Sequence, residues 1–127
     1  MATIKAYTDL EQSCKLAEIL PLESADMFYA DLLVDNKHKY IVHLLESYGF
    51  KTFKDTNKQI SQRLNFIPCW SLAALQGTLP KGTNISTPKP INALGYCCWN
   101  QYDEIYEDNP VDACYEMILK LHELKML

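Results

Sequence analysis

Apolar residues recur at helical spacing along the last part of the chain, from Val111 to Leu124. Asn109 precedes this run and can accept hydrogen bonds from free backbone N–H groups, while Pro110 suits the first helical position. Asp112 lies in the first turn, where the helix dipole favours a negative charge. The pattern predicts a capped C-terminal helix whose inward stripe comprises Val111, Cys114, Met117, Ile118, Leu121 and Leu124.

A second helical pattern begins near the amino terminus, at Thr8-Asp9-Leu10-Glu11. This order is typical of a capping box, in which the Thr8 hydroxyl bonds the backbone of Glu11 and the Glu11 carboxylate reaches back to Thr8. Apolar positions then recur at helical spacing until Pro21 ends the pattern. We predict an N-terminal helix with an inward face of Leu10, Cys14, Ala17 and Leu20, and with Leu16 and Ile19 alongside.

Between Phe28 and Leu45 the apolar period changes from helical to two residues, around a turn at Asp35-Asn36-Lys37. This arrangement predicts an antiparallel hairpin. With Val34 opposite His38, one face is mostly apolar and is expected to be buried, because a shift of one residue would exchange the two faces. That face contains Phe28, Ala30, Leu32, Val34, His38, Tyr40, Val42 and Leu44.

The remaining segments are less regular. Residues from Glu46 to Phe66 indicate a long loop or a weak helix, and Pro68 to Leu75 indicates a short helix. Proline and glycine between Gly82 and Pro90 favour a loop or an edge strand. Ala93 to Gln101 is typical of a strand, and Tyr102 to Asp108 of a further one.

The order of these elements alternates too irregularly for parallel βαβ units and predicts an α+β fold. We expect an antiparallel sheet of about four strands packed against the N- and C-terminal helices, which form a single layer on one face. Residues 1–127 then make one α+β domain, with a flexible insertion at about 51–65.

Composition is that of a globular protein, with 127 residues, 48% hydrophobic and 22% charged. The amino terminus lacks an apolar signal core, and no run approaches the roughly 18 apolar residues that span a bilayer. A formal net charge of −4 opposes attraction to nucleic acid and to anionic lipid. We therefore expect a cytoplasmic protein that binds neither nucleic acid nor membrane.

Five cysteines, an odd count without CxxC spacing, favour buried free thiols over a disulfide framework. Structural zinc usually draws on closely spaced cysteine or histidine pairs, and such pairs are missing from the sequence. A zinc site would need distant positions such as Cys69, Cys97 and His122. We expect no metal and no cofactor.

A thiol nucleophile is one candidate for catalysis. Cys69 lies beside Trp70 near a predicted helix start, which can lower the pKa of a thiol, and His38 or His43 could act as a base. Without glycines for an oxyanion hole around Cys69, a buried structural thiol is the competing interpretation.

The strongest functional signal is an acidic stretch with interleaved aromatic residues. No lysine, arginine or histidine occurs between Pro90 and Leu119. Acidic groups beside rigid aromatic rings are typical of a surface that binds a basic protein. The candidate partner-binding residues are Tyr96, Trp99, Tyr102, Asp103, Glu104, Tyr106, Glu107 and Asp108. Alternatively, these acids are an ordinary helix start beside core aromatics, or the basic stretch Lys51 to Arg63 neutralises them.

Several short blocks together resemble a family of small uncharacterised proteins from gut anaerobic bacteria and their phages and mobile elements. The blocks are Gln12-Ser13-Cys14-Lys15-Leu16, Ser24-Ala25-Asp26-Met27, Ile67 to Leu75, Leu79-Pro80 and Asp108 to Ala113. Lys51 to Asn65 departs from the shorter connector expected there. The family has no established activity, so the resemblance implies a compact domain, supplies no catalytic residues and favours an accessory role.

Two functional hypotheses follow from the sequence. The first is a non-enzymatic cytoplasmic interaction or accessory protein that binds a protein partner, or itself, through the acidic aromatic surface. The second is a small enzyme or ligand-binding domain with a pocket near Cys69, Trp70 and the His38/His43 hairpin. Pairing of an exposed sheet edge would give a homodimer.

Overall fold

A computed structural model describes residues 5–53, 66–86 and 95–127. Within these ranges the order along the chain is a helix, three strands, a second helix, three more strands and a third helix. Short 3₁₀ turns occur at Leu22–Ser24 and Glu46–Tyr48. The α+β class is as predicted. The longer elements within the described ranges are α1 (Leu10–Ala17), β1 (Met27–Val34), β2 (Lys37–Leu44), β3 (Phe66–Cys69), α2 (Leu72–Thr78), β4 (Asn84–Ser86), β5 (Tyr96–Trp99), β6 (Glu104–Glu107) and α3 (Pro110–Glu123).

The strands form two antiparallel sheets of three strands, in the orders β2-β1-β3 and β4-β5-β6. The expected single sheet of about four strands is therefore wrong. Helix α1 packs against β3 of the first sheet, whereas α3 packs against β5 and β6 of the second. The two terminal helices consequently do not form one layer over a common sheet.

The segment from Pro68 to Leu75, predicted as one short helix, belongs to two different elements in the structure. Pro68 and Cys69 belong to β3, which pairs with β1 at the edge of the first sheet, where a proline is tolerated. Helix α2 begins only at Leu72, because Ser71 caps it by accepting a hydrogen bond from the N–H of Ala74.

Helix α3 confirms the predicted C-terminal helix. The Asn109 side chain accepts a hydrogen bond from the N–H of Asp112 at 2.9 Å, and Pro110 occupies the first turn. The predicted stripe is buried from Val111 to Leu121. Leu124 was expected to face inward but is 50% exposed, because the helix ends at Glu123 and Leu124 forms the C-cap.

Helix α1 is also present, but its cap lies one residue later than predicted. Asp9 accepts a hydrogen bond from the N–H of Gln12, whose side chain accepts one from the N–H of Asp9. Thr8 is instead buried and accepts a hydrogen bond from the N–H of Trp70 at 3.2 Å. Helix α1 packs with Ser13 and Leu16 inward, and Cys14 is exposed, contrary to its expected inward position.

The hairpin of β1 and β2 is as predicted, but its register differs by one residue. Asp35 and Asn36 have positive φ angles of 51° and 62°, so the turn contains two residues and Val34 faces Lys37 rather than His38. Phe28 therefore shares its face with His43 instead of Val42. The end of the hairpin near the turn is exposed on both strands.

A hydrophobic core joins the elements. Its largest fully buried side chains include Trp70, Phe28, Leu16, Leu75 and Met117. In the described part of the chain, every buried side-chain nitrogen or oxygen has a hydrogen-bond partner. The insertion predicted at about 51–65 falls largely in residues 54–65, outside the described residues.

Candidate functional site

The sheet β4-β5-β6 has one face against the core and one face toward solvent. Ile85, Cys98 and Ile105 lie opposite one another and pack on the core. Side chains alternate along a strand, so the neighbouring positions point the other way. We call this second set the outer face; it comprises Asn84, Ser86, Cys97, Trp99, Glu104 and Tyr106.

Two large aromatic rings stand exposed on the outer face. Trp99 is 41% exposed and Tyr106 is 54% exposed. Trp99 pairs directly with Glu104, and Tyr106 with Cys97, so the two rings are diagonal neighbours across β5 and β6. The outer face therefore presents two exposed aromatic side chains at diagonal positions, with the carboxylate of Glu104 opposite Trp99.

Protonation keeps the phenol and the thiol of the outer face uncharged at neutral pH. A hydrogen bond with Cys97 raises the pKa of Tyr106, and the charge of Glu104 adds to this effect. Burial raises the pKa of the Cys97 thiol and outweighs the opposing hydrogen bond with Tyr106. Glu104 consequently supplies the negative charge of this face.

Hydrogen bonds from backbone and side chains hold the turn between β5 and β6. The N–H of Asn100 donates to the carbonyl of Asp103 at 3.0 Å. The Asn100 side chain accepts hydrogen bonds from the N–H groups of Tyr102 at 2.8 Å and Asp103 at 3.1 Å. The Asp103 carboxylate accepts one from the N–H of Glu104 at 2.8 Å. Asn100 was not among the predicted site residues, although asparagine commonly starts a turn by accepting hydrogen bonds from the backbone that follows it. The turn fixes Tyr102, itself 43% exposed, beside the outer face.

The predicted partner-binding residues are thus only partly brought together. Trp99, Glu104 and Tyr106 share the outer face, with Tyr102 and Asp103 in the adjoining turn. Tyr96 and Glu107 pair with each other on the opposite face, and Asp108 lies exposed just before α3.

A separate group of acids surrounds the start of α3. Burial raises the pKa of Glu107, and the charges of Glu116, Asp112 and Asp108 raise it further. Asp112 is neutralised by Lys5, whose Nζ lies 2.9 Å from its carboxylate. This cation was not foreseen, and most of the predicted neutralising stretch Lys51 to Arg63 lies outside the described residues.

Cys69 and the two hairpin histidines do not meet. Cys69 pairs with Met27, whereas His43 pairs with Phe28, so the cysteine and the imidazole lie on opposite faces of the first sheet. His38 is near the far end of the hairpin, where its ring contacts the Asp31 carboxylate at 2.8 Å.

The surroundings of Cys69 and Trp70 are those of core residues. Both are fully buried, and burial raises the pKa of the Cys69 thiol despite hydrogen bonds from Thr8, Ser13 and the Trp70 backbone. A thiolate is the form that a nucleophile requires. His43 packs its ring against Phe28 and Tyr48, which is a structural role.

Neither a metal site nor a membrane span is found in the part of the chain that the structure describes. No group of three histidine, cysteine, aspartate or glutamate side chains there is arranged to hold an ion. None of the helices described combines the length and the apolarity needed to cross a bilayer.

Comparison of the chain with models of protein families, with curated proteins and with solved structures finds no match.

Proposed function

We propose that this chain is a non-enzymatic interaction protein that binds a basic protein partner through the outer face of the sheet β4-β5-β6. The observation that carries the proposal is the pair of exposed aromatic residues, Trp99 and Tyr106, at diagonal positions on β5 and β6, with Glu104 paired to Trp99. Tyr102 and Asp103 in the adjoining turn extend the surface. Asp108 contributes charge from nearby in the chain.

The residue types of this face and its held backbone are both favourable for binding. Tryptophan and tyrosine are enriched among the residues that dominate binding energy, because they bury a large area and have few torsions to fix. Here the strand pairing and the Asn100 hydrogen bonds already hold the backbone of this surface. Little conformational entropy would be lost on binding, and this increases affinity.

Charge and ring geometry indicate arginine as the preferred group on the partner. A guanidinium can stack on the face of Trp99 or Tyr106 while donating hydrogen bonds to Glu104. Arginine also matches a carboxylate with two parallel hydrogen bonds, which lysine cannot do. The net charge of −4 would further accelerate the approach of a basic partner.

Affinity capture with matched variants tests the proposal. Tagged wild-type protein should retain a specific protein from a lysate of the source organism at low salt, and Trp99→Ala should weaken its binding by roughly tenfold or more. Tyr106→Ala and Glu104→Gln should weaken it as well. Tyr40→Ala is the matched control, because Tyr40 is 39% exposed but belongs to the other sheet.

Affinity would then be measured with the purified partner by titration calorimetry at two ionic strengths. Wild-type affinity should fall with salt, and this dependence should flatten in Glu104→Gln. Equal loss in Tyr40→Ala and Trp99→Ala would reject the outer face. Circular dichroism of each variant separates lost binding from lost folding.

We further propose an accessory role in the cytoplasm, with an origin in phages or mobile elements. The resemblance of its short sequence blocks to such proteins supports this proposal. Identification of the genes beside this one tests it, since a metabolic operon would argue against an accessory role. The enzyme hypothesis has no comparable support, because Cys69 has neither imidazole beside it.

A further inference from the structure

The two exposed aromatic side chains of the outer face have a spacing that the strand pairing sets. Trp99 on β5 and Tyr106 on β6 occupy diagonal positions, and diagonal neighbours in an antiparallel pair lie roughly 7–8 Å apart. A ring held between two others makes a carbon contact of about 3.5–4.0 Å on each side, and the two contacts together span about 7–8 Å. The spacing of Trp99 and Tyr106 therefore accommodates one flat aliphatic ring between them.

The other four residues of the outer face add no further large apolar side chain. Asn84 and Ser86 are exposed and polar, Cys97 is small, and Glu104 is charged. A docked helix needs apolar anchors over about two turns, roughly 11 Å, and this face offers only the aromatic pair. An added strand would pair with a sheet edge, whereas the aromatic pair projects from the face. The surface is therefore unsuited to a helix or to an added strand.

A proline-rich segment in the polyproline II conformation fits a small aromatic surface of this kind. The pyrrolidine ring fixes φ at about −65°, so the segment loses little conformational entropy on binding. Proline also supplies a flat aliphatic ring, and aromatic-lined surfaces recurrently bind such segments. The carbonyls of a polyproline II helix make no internal hydrogen bonds, so one of them can accept a hydrogen bond from the indole N–H of the exposed Trp99.

Charge on the outer face is confined to one position. Of its six residues only Glu104 has a charged side chain, and Glu104 is exposed and pairs directly with Trp99. A guanidinium matches an exposed carboxylate with two parallel hydrogen bonds and stacks on an aromatic ring. Asn84, on the other side of Trp99, is neutral. This charge distribution favours an arginine beside the prolines, at the end of the sheet next to the turn between β5 and β6.

We propose that the ligand of the outer face is a proline-rich segment in the polyproline II conformation that carries an arginine beside its prolines. One proline ring lies between Trp99 and Tyr106, and the arginine pairs with Glu104. This inference rests on the proposed function, since it specifies the kind of basic segment that the partner presents. It adds a backbone conformation, which acidic and aromatic character alone does not require.

Three synthetic peptides of equal length test the ligand class by titration calorimetry with the full chain. The first is a run of prolines with one arginine at its end. The second replaces every proline by alanine and keeps the arginine, and the third keeps the prolines and replaces the arginine by glutamate. We expect the first peptide to bind at least about tenfold more tightly than either of the others. Equal or tighter binding of the alanine peptide would overturn the inference, because alanine has neither the ring nor the fixed φ.

Variants of the outer face test the location. Trp99→Ala and Tyr106→Ala should each weaken binding of the first peptide by roughly tenfold, whereas Trp99→Phe, which keeps an aromatic ring, should retain most of it. Glu104→Gln should remove the preference for arginine over glutamate, and Tyr40→Ala on the other sheet should bind like wild type. Circular dichroism identifies the variants that fold. Undiminished binding in folded Trp99→Ala and Tyr106→Ala would refute the assigned contact.

Capture from lysate separates failure of this inference from failure of the proposed function. If the wild-type protein retains a partner that Trp99→Ala loses, but the proline peptide binds no better than the alanine peptide, the outer face stands and the polyproline II ligand is wrong. If Trp99→Ala retains the partner and the proline peptide as well as wild type does, both are wrong.

Discussion

Removal of the Asp112 carboxylate should loosen the junction between the first and last helices. Its Oδ1 accepts hydrogen bonds from Lys5 Nζ at 2.9 Å and Gln12 Nε2 at 2.7 Å, and its Oδ2 accepts one from Asn109 Nδ2 at 2.8 Å. Two of these donors lie in or before α1, and the third caps α3. Asp112→Ala would therefore break every contact of this side chain between the two helices.

The expected cost follows from the burial of this network. Hydrogen bonds to a charged group contribute about 1.5–3 kcal/mol each when buried, while exposed ion pairs contribute about 0–1 kcal/mol. The Asp112 and Lys5 side chains are 26% and 32% exposed, which places the network between these limits. Because Lys5 keeps its second partner Asp9, we expect Asp112→Ala to lower the free energy of unfolding by about 2 kcal/mol.

Urea unfolding followed by circular dichroism measures this loss. Glu116→Ala is the matched control, since Glu116 lies one turn further along α3 and its charge raises the pKa of Glu107. Removing that like charge should leave stability unchanged or slightly higher. A loss in Asp112→Ala no larger than that in Glu116→Ala would refute the reasoning.

The same network sets a pH dependence. Burial alone would raise the pKa of Asp112, but hydrogen bonds from Lys5, Gln12 and Asn109 outweigh it and hold the pKa below its ordinary value. As the pH falls, Asp112 is therefore protonated in the unfolded chain before it is protonated in the folded protein. The network stabilises the fold fully above about pH 4, and this stabilisation is lost as the pH falls to the lower pKa of Asp112 in the folded protein. The stability difference between wild type and Asp112→Asn should shrink on acidification, and a difference that stays constant to pH 2 would contradict this.

Three further predictions concern the rest of the fold. Gly95→Ala should destabilise the protein far more than Gly49→Ala, because a Cβ at Gly95 would collide with the carbonyl of Glu107. An alanine at position 49 has open space and costs only the strain of a positive φ, about 1 kcal/mol. Similar melting temperatures for the two variants would contradict this. Cys14 should be alkylated well before the four buried cysteines, as read by mass spectrometry, and simultaneous labelling would disprove the described burial. Leu121→Ala should cost about 3 kcal/mol in urea unfolding, and a loss below about 1 kcal/mol would show that Leu121 is not in the core.

Helix α3 could be predicted from the sequence because its signals are local. Asn109 and Pro110 mark its start, and a continuous apolar stripe gives its inward face. Each signal acts within a few residues of its effect. Helix α1 was predicted less accurately, because Thr8 and Asp9 are both good caps and the sequence alone did not decide between them.

The hairpin register could not be read from hydrophobicity. Both faces of β2 carry apolar side chains, with Val42 on one and Ile41 on the other, so a shift of one residue changes the apolar surface little. The turn decides the register, since Asp35 and Asn36 adopt the left-handed conformation of a two-residue turn.

The division into two sheets depends on contacts distant in sequence. Residues 66–69 become a strand only because they pair with β1, about forty positions earlier, at pairs such as Met27 and Cys69. When the pairing with β1 is not known, a proline shortly before a capped helix is typical of a helix start. Local propensity was overridden by tertiary pairing.

The candidate site was predicted as one continuous acidic aromatic surface, but alternation along β5 and β6 places its residues on two faces. Glu104 and Glu107 are three positions apart, and an odd separation on a strand places side chains on opposite faces. Once the bounds of β6 are known, this periodicity places the two acids on different faces. Placing Trp99 beside Tyr106 required the pairing of β5 with β6, which the sequence does not specify.

Photo-crosslinking tests the proposed binding face most directly. A benzophenone amino acid would replace Tyr106 on the outer face or, as the matched control, Tyr40 on the other sheet, and each protein would be irradiated in a lysate of the source organism. We expect a discrete, salt-sensitive adduct with one protein from position 106 and none from position 40. An adduct from position 40 alone would contradict the assignment of the outer face.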